Sequence, residues 1–351
     1  MEDELNEVRC GKPDCQVAQT GSCAEGHSPL ASCPNFGKAV EEDFDDYDDD
    51  QPDDADGGAA TEVWVPLPSG EALGPEAVER FLLWRPATFV TVVGESYSGK
   101  TTLVCALYDR FLRGSFTGLS FVGSRTLVAL ERRSHYSRVE SGRIRPETAR
   151  TSISEGLSFY HFAVAAVGRP ASRVDLLISD RAGEMYRYAR DDSTIVANLS
   201  EIPRADRLVL LLDGGRVTDA VERADAMQSA RQTLRVFLDN GALGKNSNVQ
   251  VVTTKIDLIA RAADQAQLTE ALRLFKERLR ADFGPRLRTL TFWEIAARDP
   301  TGTLNPAHGL DALIADWVTP CAGPVCRVSS STQLRSEFDR LLVRTPLEDD
   351  Q

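Results

Sequence analysis

The chain has 351 residues, of which 42% are hydrophobic and 26% charged, the balance of an ordinary globular protein. Its net charge of −13 is concentrated: residues 41–56 hold eleven acidic side chains and no basic one, so residues 57–351 sum to about +1. A near-neutral body excludes the global positive field of a nucleic-acid-binding protein, and no run of about 20 apolar residues is present to span a membrane.

The N-terminal stretch is acidic and has no apolar segment, unlike a secretory leader. The expectation is a cytoplasmic protein whose seven cysteines are thiols or metal ligands rather than disulfides. Residues 1–38 are rich in Cys and Gly and poor in aliphatics. Cys10, Cys15, Cys23 and Cys33 form two thiolate pairs across a short loop, a set that suits a tetrahedral structural Zn2+. His27 can replace one thiol, and free cysteines in an unfolded leader are the alternative. Residues 39–60 carry the acidic run and end in Gly-Gly-Ala-Ala. That charge density cannot form a core, so this stretch reads as a disordered linker ahead of a domain spanning 61–351.

Residues Ala87–Val93 form an apolar, β-branched run that ends in Gly94-Glu95-Ser96-Tyr97-Ser98-Gly99-Lys100-Thr101-Thr102. A helical pattern follows, with Leu103, Val104, Leu107 and Phe111 on one side. G-x-x-x-x-G-K-[ST] between strand and helix is a phosphate-binding loop. The two glycines let successive N–H groups face a phosphate chain, and the helix N-terminus favours the same anion. Lys100 reaches the β- and γ-phosphates, and the Thr101 hydroxyl binds Mg2+. Lysine usage agrees: of 40 basic residues only six are Lys, and Lys100 and Lys255 both lie in candidate nucleotide motifs.

Further strands are expected at Leu157–Val167, Val174–Ser179, Arg207–Leu212, Val249–Thr254 and Thr289–Ile295. Helices are expected at Thr101–Leu112, Asp219–Asn240, Gln265–Phe283 and Leu310–Val318, with one more at Ser331–Val343. This alternation predicts an α/β fold, a P-loop NTPase with three α/β/α layers and a mostly parallel sheet, preceded by the small Cys-rich segment. Residues 114–156, with seven arginines among Ser, Gly and Pro, read as a long functional or mobile insert. Cys105 reads as core, Cys321 and Cys326 as incidental, and His135, His161 and His308 show no partners in the sequence.

The strand Val174–Ser179 ends in Asp180-Arg-Ala-Gly183. A strand-tip Asp beside a phosphate loop is a second anchor for Mg2+, and the Gly183 N–H suits a γ-phosphate. The strand Val249–Thr254 runs into Lys255-Ile-Asp257. A carboxylate there accepts from guanine N1–H and N2–H2, a pattern adenine lacks, while the Lys255 stem lies along the base. The plainer alternative is that Asp257 only caps a helix.

These motifs, in this order and each after a strand, resemble the translation-factor-related class of P-loop GTPases over about residues 86–320. The resemblance implies a GTP-binding, Mg2+-dependent switch and a base-contacting loop at Glu294–Arg298, with Ala296 and Ala297 at its centre. It also implies a switch threonine at Thr148 or Thr151, of which Thr151 is the choice. Two departures follow from it. Thr254 stands where the class has Asn, which removes an amide that braces the phosphate loop. Glu184 stands where many relatives have the water-orienting Gln, which implies slow hydrolysis or help from an activating partner. An arginine of the 114–156 insert would supply charge stabilisation in cis. The pattern also resembles bacterial double-GTPase proteins of conflict and defence systems, which implies a protein effector or GTPase-activating partner. Two alternatives stay open: an ATPase of similar architecture, and a non-hydrolysing adaptor that recruits partners through its Cys-rich segment.

Overall fold

Aliphatic and β-branched runs become the strands of one seven-stranded sheet, ordered β2-β3-β4-β1-β5-β6-β7. The strands are β1 (Thr88–Val93), β2 (Leu119–Gly123), β3 (Ser158–Ala166), β4 (Val174–Asp180), β5 (Arg207–Asp213), β6 (Asn248–Thr254) and β7 (Thr289–Glu294). The computed structural model describes residues 17, 28–33, 36, 67–135, 151–298, 302, 304–305 and 307–320. Residue contacts divide the chain into two units, Met1–Val65 and Pro66–Gln351.

In the second unit β1 lies parallel to β4 and β5, β5 to β6, and β6 to β7, while β3 runs antiparallel to both β2 and β4. The sheet is therefore mostly parallel, with an antiparallel margin. β5 shows why its sequence is continuously apolar. Leu208, Leu210 and Leu212 point to one face and Val209 and Leu211 to the other, and all five are buried. The edge strand β7 instead alternates between exposed and partly buried positions.

One face is covered by α1 (Pro75–Leu82), α4 (Gly183–Asp191), α6 (Arg223–Asp239) and α8 (Gln265–Phe283). The other is covered by α2 (Lys100–Leu112), α3 (Leu127–His135) and α9 (Leu310–Trp317). Two short helices, α5 (Gly214–Thr218) and α7 (Ile256–Arg261), follow β5 and β6. Fully burying one Leu or Phe is worth about 1.5–3 kcal/mol, and both faces are lined with such residues. α9 is also pinned by polar bonds: Trp317 Nε1 donates to Gln250 (2.8 Å), and Gln250 and Arg207 both donate to Asp316 (2.7 Å each).

All six expected strands are present within a residue or so of their expected ends. The seventh, β2, corrects the reading of 114–156 as one long loop. Residues 119–123 are an edge strand with a bulge between Phe121 and Gly123, and 127–135 are a helix burying Ala129 and Leu130. Five residues containing Ser and Gly give too short an alternation to stand out. α1, α4, α5 and α7 were also not anticipated. They are short, and α4 carries four charged residues in nine, with Tyr186 and Ala189 as its buried side chains. α6 starts four residues later than expected because Asp219 holds Val221 N–H (2.8 Å) in a turn.

In the first unit Leu30–Ser32 form one 3-10 turn, and Cys33 is a buried free thiol at its end. Cys10, Cys15, Cys23 and His27, the acidic linker, Thr148, Cys321, Cys326 and Ser331–Val343 lie outside the described residues. Among the described residues no group of three or more His, Cys, Asp or Glu is placed to hold a metal, and no helix is long and apolar enough to cross a membrane.

His161, without a visible partner in the sequence, sits buried in β3. Its Nδ1 accepts from Arg125 N–H (2.9 Å), so the proton is assigned to Nε2, which faces Asp175 Oδ1 at 2.8 Å. Burial holds its pKa below the ordinary 6.5 against the pull of Asp175, with Arg173 and Arg125 pushing the same way as burial. Asp175 is itself held below its ordinary value by bonds from Arg173 and His161 that outweigh its burial. The unfolded chain thus binds more protons than the fold as pH falls below 6.5, so stability drops by at most about 1.4 kcal/mol per pH unit until the folded pKa is reached. Asp175 adds a loss of the same sign below its ordinary 3.8. Thermal melts from pH 8 to 5 should show this decline, and His161→Gln should flatten it; an equal slope in the variant would assign the effect elsewhere.

Candidate nucleotide site

The carboxyl ends of β1, β4, β5 and β6 meet on one edge of the sheet, where a doubly wound fold opens a crevice. After β1 the chain turns through Gly94 to Gly99, and Gly99 has φ +101° at the start of α2. A Cβ on Gly94 would lie 2.5 Å from Ser98 Oγ. Tyr97 also takes a left-handed φ of +65°, with its ring exposed. Lys100 is buried and its Nζ donates to the carbonyls of Gly94 (2.9 Å) and Glu95 (3.0 Å). The ammonium is thereby held along the loop, where the loop's N–H groups and the first turn of α2 gather positive potential. Ser96 and Thr102 complete this segment, Thr102 on the first turn of α2.

β4 delivers Asp180, fully buried, to the same place. Asp180 Oδ2 accepts from the Thr151 hydroxyl (2.8 Å), and Thr151 Oγ1 lies 3.1 Å from Thr101 Oγ1. The other carboxylate oxygen, Oδ1, is buried without a hydrogen-bond partner among the described residues. Burial pushes the Asp180 pKa up, opposed by the Thr151 bond and by the charges of Arg133 and Lys100. An orphaned buried carboxylate oxygen beside two hydroxyls is an all-oxygen donor set that fits a hard divalent cation such as Mg2+, which takes one or two carboxylates and completes its shell with phosphate and water.

Gly183, the first residue of α4, rests directly on the loop. A Cβ there would lie 2.4 Å from Ser96 N, 2.5 Å from Glu95 C and 2.8 Å from Lys100 Nζ. This seat is fastened on both sides. Arg181 makes a two-pronged pair with buried Glu201 (2.7 and 3.0 Å), and Arg190 pairs with Glu95 at 2.5 Å. The Glu95 carboxylate also pairs with Arg216. Its contribution to the loop is therefore its backbone, and its side chain ties the loop to α4 and α5. Beyond it a cleft of about 650 Å³ opens between Ser96, Tyr97, Arg187 and Asp225. Glu184 follows Gly183 and is half-buried.

At the far end, Thr254 corrects one expectation. Its hydroxyl donates to Ser98 O (2.9 Å) and lies 3.3 Å from Leu212 O, so the loop is braced from β6 without an amide. Lys255 has φ +52° and its Nζ pairs with Asp213 Oδ2 (2.9 Å). Asp257 is buried in the first turn of α7, where its Oδ2 receives Arg261 (3.0 Å). The N-cap position belongs to Lys255 and carries no side-chain cap bond, so Asp257 is not the helix cap. The loop after β7 reaches this turn, with Ile256 N donating to Ile295 O (3.2 Å). Ala296 uses its N–H on the His308 carbonyl (3.0 Å). A base contact through this N–H would compete with that bond, and Ala297 is the next candidate.

Sequence reading did not single out three residues here. Asp213 ends an apolar strand as Asp180 does, and that signal was available. Arg133, whose Nε donates to Tyr160 Oη (3.1 Å) and whose guanidinium pairs with Glu155, had no signal of spacing. Nor had Glu201.

The Double-GTPase 2 family model matches residues 88–318. No curated protein matches the chain. Among solved structures, the signal recognition particle receptor SRb-GTP/SRX complex from Chaetomium thermophilum is 16% identical, with 66% of this chain and 99% of that one covered and a TM-score of 0.40. The translation elongation factor SelB from Methanococcus maripaludis, in complex with the GTP analogue GppNHp, is 14% identical over 66% of this chain and 34% of that one, with a TM-score of 0.35. The family match runs from the first residue of β1 to the residue after α9, so every strand and every element of the crevice lies inside it, and the chain belongs to the Double-GTPase 2 family.

Proposed function

We propose that this chain binds Mg2+·GTP and hydrolyses it slowly, as a cytoplasmic switch whose Gly183 region responds to the γ-phosphate. The observation that carries this reading is the convergence of Thr101, Thr151 and the partnerless Asp180 Oδ1 beside Lys100. Thr101, Thr151 and Asp180 would hold the metal. When bound, Mg2+ supplies positive charge to the β- and γ-phosphate oxygens.

Lys100 stabilises negative charge on the transferring phosphoryl group from its position along the loop. The Gly183 N–H donates to the γ-phosphate, so its hold on α4 lapses when that phosphate leaves. Asp257 selects guanine, with the Lys255 stem along the base and Ala297 as a further base contact. Glu184 would orient the attacking water, and its negative charge opposes the γ-phosphate, which makes intrinsic turnover slow and leaves room for an activating partner. The Cys10–Cys33 spacing supports a structural Zn2+ in the N-terminal segment. A place in a bacterial conflict system rests on the resemblance to double-GTPase proteins.

The test is titration of the full chain with fluorescent GTP, with GTP and ATP as competitors, in Mg2+ and in EDTA, alongside phosphate release. GTP should compete at least about tenfold better than ATP, the worth of one charged hydrogen bond to the base, and EDTA should weaken binding. Equal competition would make this an ATPase. Tight GTP binding without phosphate release would make it an adaptor.

A further inference from the structure

We infer that Arg133 is a positioning residue that, through Glu155, seats Thr151 on the Thr101–Asp180 pair; this rests on the reading of that pair as a Mg2+·GTP site. Arg133 lies in the last turn of α3, with its side chain 16% exposed. Its Nε donates to the hydroxyl of Tyr160, a buried residue of β3 paired with Ile178, two residues before Asp180. Its outer nitrogen pairs with Glu155.

Glu155 and Thr151 are joined by a short, internally bonded turn. Ser152 caps the 3-10 turn Ile153–Glu155, accepting at its hydroxyl from Ser154 N (3.3 Å) and at its carbonyl from Glu155 N (3.3 Å). Gly156, with φ +65°, then turns the chain into β3. A pull on Glu155 is thus a pull on Thr151, whose one hydroxyl must meet both Thr101 and Asp180.

The other end of the clasp is fixed. Before α3, Arg125 N–H is bound by His161 and His161 N–H by Thr126 Oγ1 (3.0 Å). Within it, Ala129 N–H reaches Gly70 O (3.0 Å) and Arg132 pairs with Glu71 (2.7 Å). The guanidinium therefore hangs from an anchored helix. Only a planar fork serves Tyr160 and Glu155 at once, so lysine is not an equivalent.

Arg133 also acts on Asp180 through its charge, and this separates two roles by sign. At a pH where Asp180 is ionised with or without Arg133, a purely electrostatic Arg133 repels Mg2+, so Arg133→Gln would tighten metal binding. A positioning Arg133 predicts the reverse. In the full chain, release of fluorescent GDP and GTP would be followed against Mg2+ concentration, with single-turnover hydrolysis measured in parallel. Arg133→Gln, Arg133→Lys and Glu155→Gln should each raise the Mg2+ needed for half-maximal slowing of release by about ten- to hundredfold, as loss of a ligand's supporting partner does. Arg133→Gln combined with Glu155→Gln should be no worse than either alone. Glu155 is 41% exposed on its side chain, so its variant folds even if an Arg133 variant does not. The clasp is overturned if Glu155→Gln keeps wild-type Mg2+ dependence, if Arg133→Gln tightens metal binding, or if the two losses multiply. A wild-type chain whose nucleotide release ignores Mg2+ overturns the nucleotide reading, and the clasp with it.

Discussion

Alanine at position 183 is expected to abolish most GTP hydrolysis while the sheet stays folded. The added Cβ would meet Ser96 N at 2.4 Å and Glu95 C at 2.5 Å, atoms of the backbone that cannot swing aside. Lys100 Nζ, at 2.8 Å, is itself held by two loop carbonyls. Either the loop or α4 has to move. α4 is fastened by Arg190 to Glu95, by the Arg181–Glu201 pair just before it, and by buried Tyr186. The misfit therefore falls on the seat between helix and loop. Overpacking of this kind costs about 1–3 kcal/mol, and a displacement of about 1 Å beside the reacting phosphate lowers the rate about a hundredfold. Single-turnover hydrolysis and a thermal melt measure the two effects separately. A Gly183→Ala chain that hydrolyses at the wild-type rate would show that this contact is not used in catalysis.

Asp257→Asn is expected to move base preference from guanine toward xanthine. A carboxylate accepts two bonds from the guanine edge, whereas an amide turns one acceptor into a donor, which xanthine's extra carbonyl can receive. Bonds to a charged group contribute about 1.5–3 kcal/mol each, so GTP affinity should fall by about ten- to hundredfold or more. The fold should tolerate the change. One partner of Asp257, Arg261, has a side chain 35% exposed and can return to water when the charge is lost. Competition of fluorescent GTP by GTP, XTP and ATP measures the shift. Equal weakening of all three, or no change, would remove Asp257 from the base site.

Some of this was legible because the chemistry is contiguous. A loop that cradles phosphate needs consecutive backbone N–H groups, so the spacing of Gly94, Gly99, Lys100 and Thr101 marks these residues as candidates. Asp180 was legible because an apolar strand brings its last residue to the crevice. Thr148 and Thr151 both stood at plausible distances from β3, and Thr151 was the choice; among the described residues the Thr151 hydroxyl meets Asp180. Thr254 was legible as a departure but not in its consequence, because whether a hydroxyl reaches Ser98 O depends on how close β6 lies to the loop. The bond from Ala296 N–H to the His308 carbonyl was not legible, because it comes from across the following loop.

What the sequence by itself determined is the order of elements and the contiguous motifs: periodicity of two buries β5 on both faces, and a glycine-lysine loop before a helix is recognisable wherever it occurs. What only the tertiary structure decided is the set of charge pairs that holds those motifs in register. Glu95 to Arg216 spans 121 residues, and Arg133 to Glu155 joins a helix to a loop. Such pairs follow no repeat, and any of the chain's 34 arginines could in principle meet any carboxylate. Which ones meet is set by where the packed sheet and helices place their ends, since an ion pair forms only after burial of the apolar faces has fixed the distance between them.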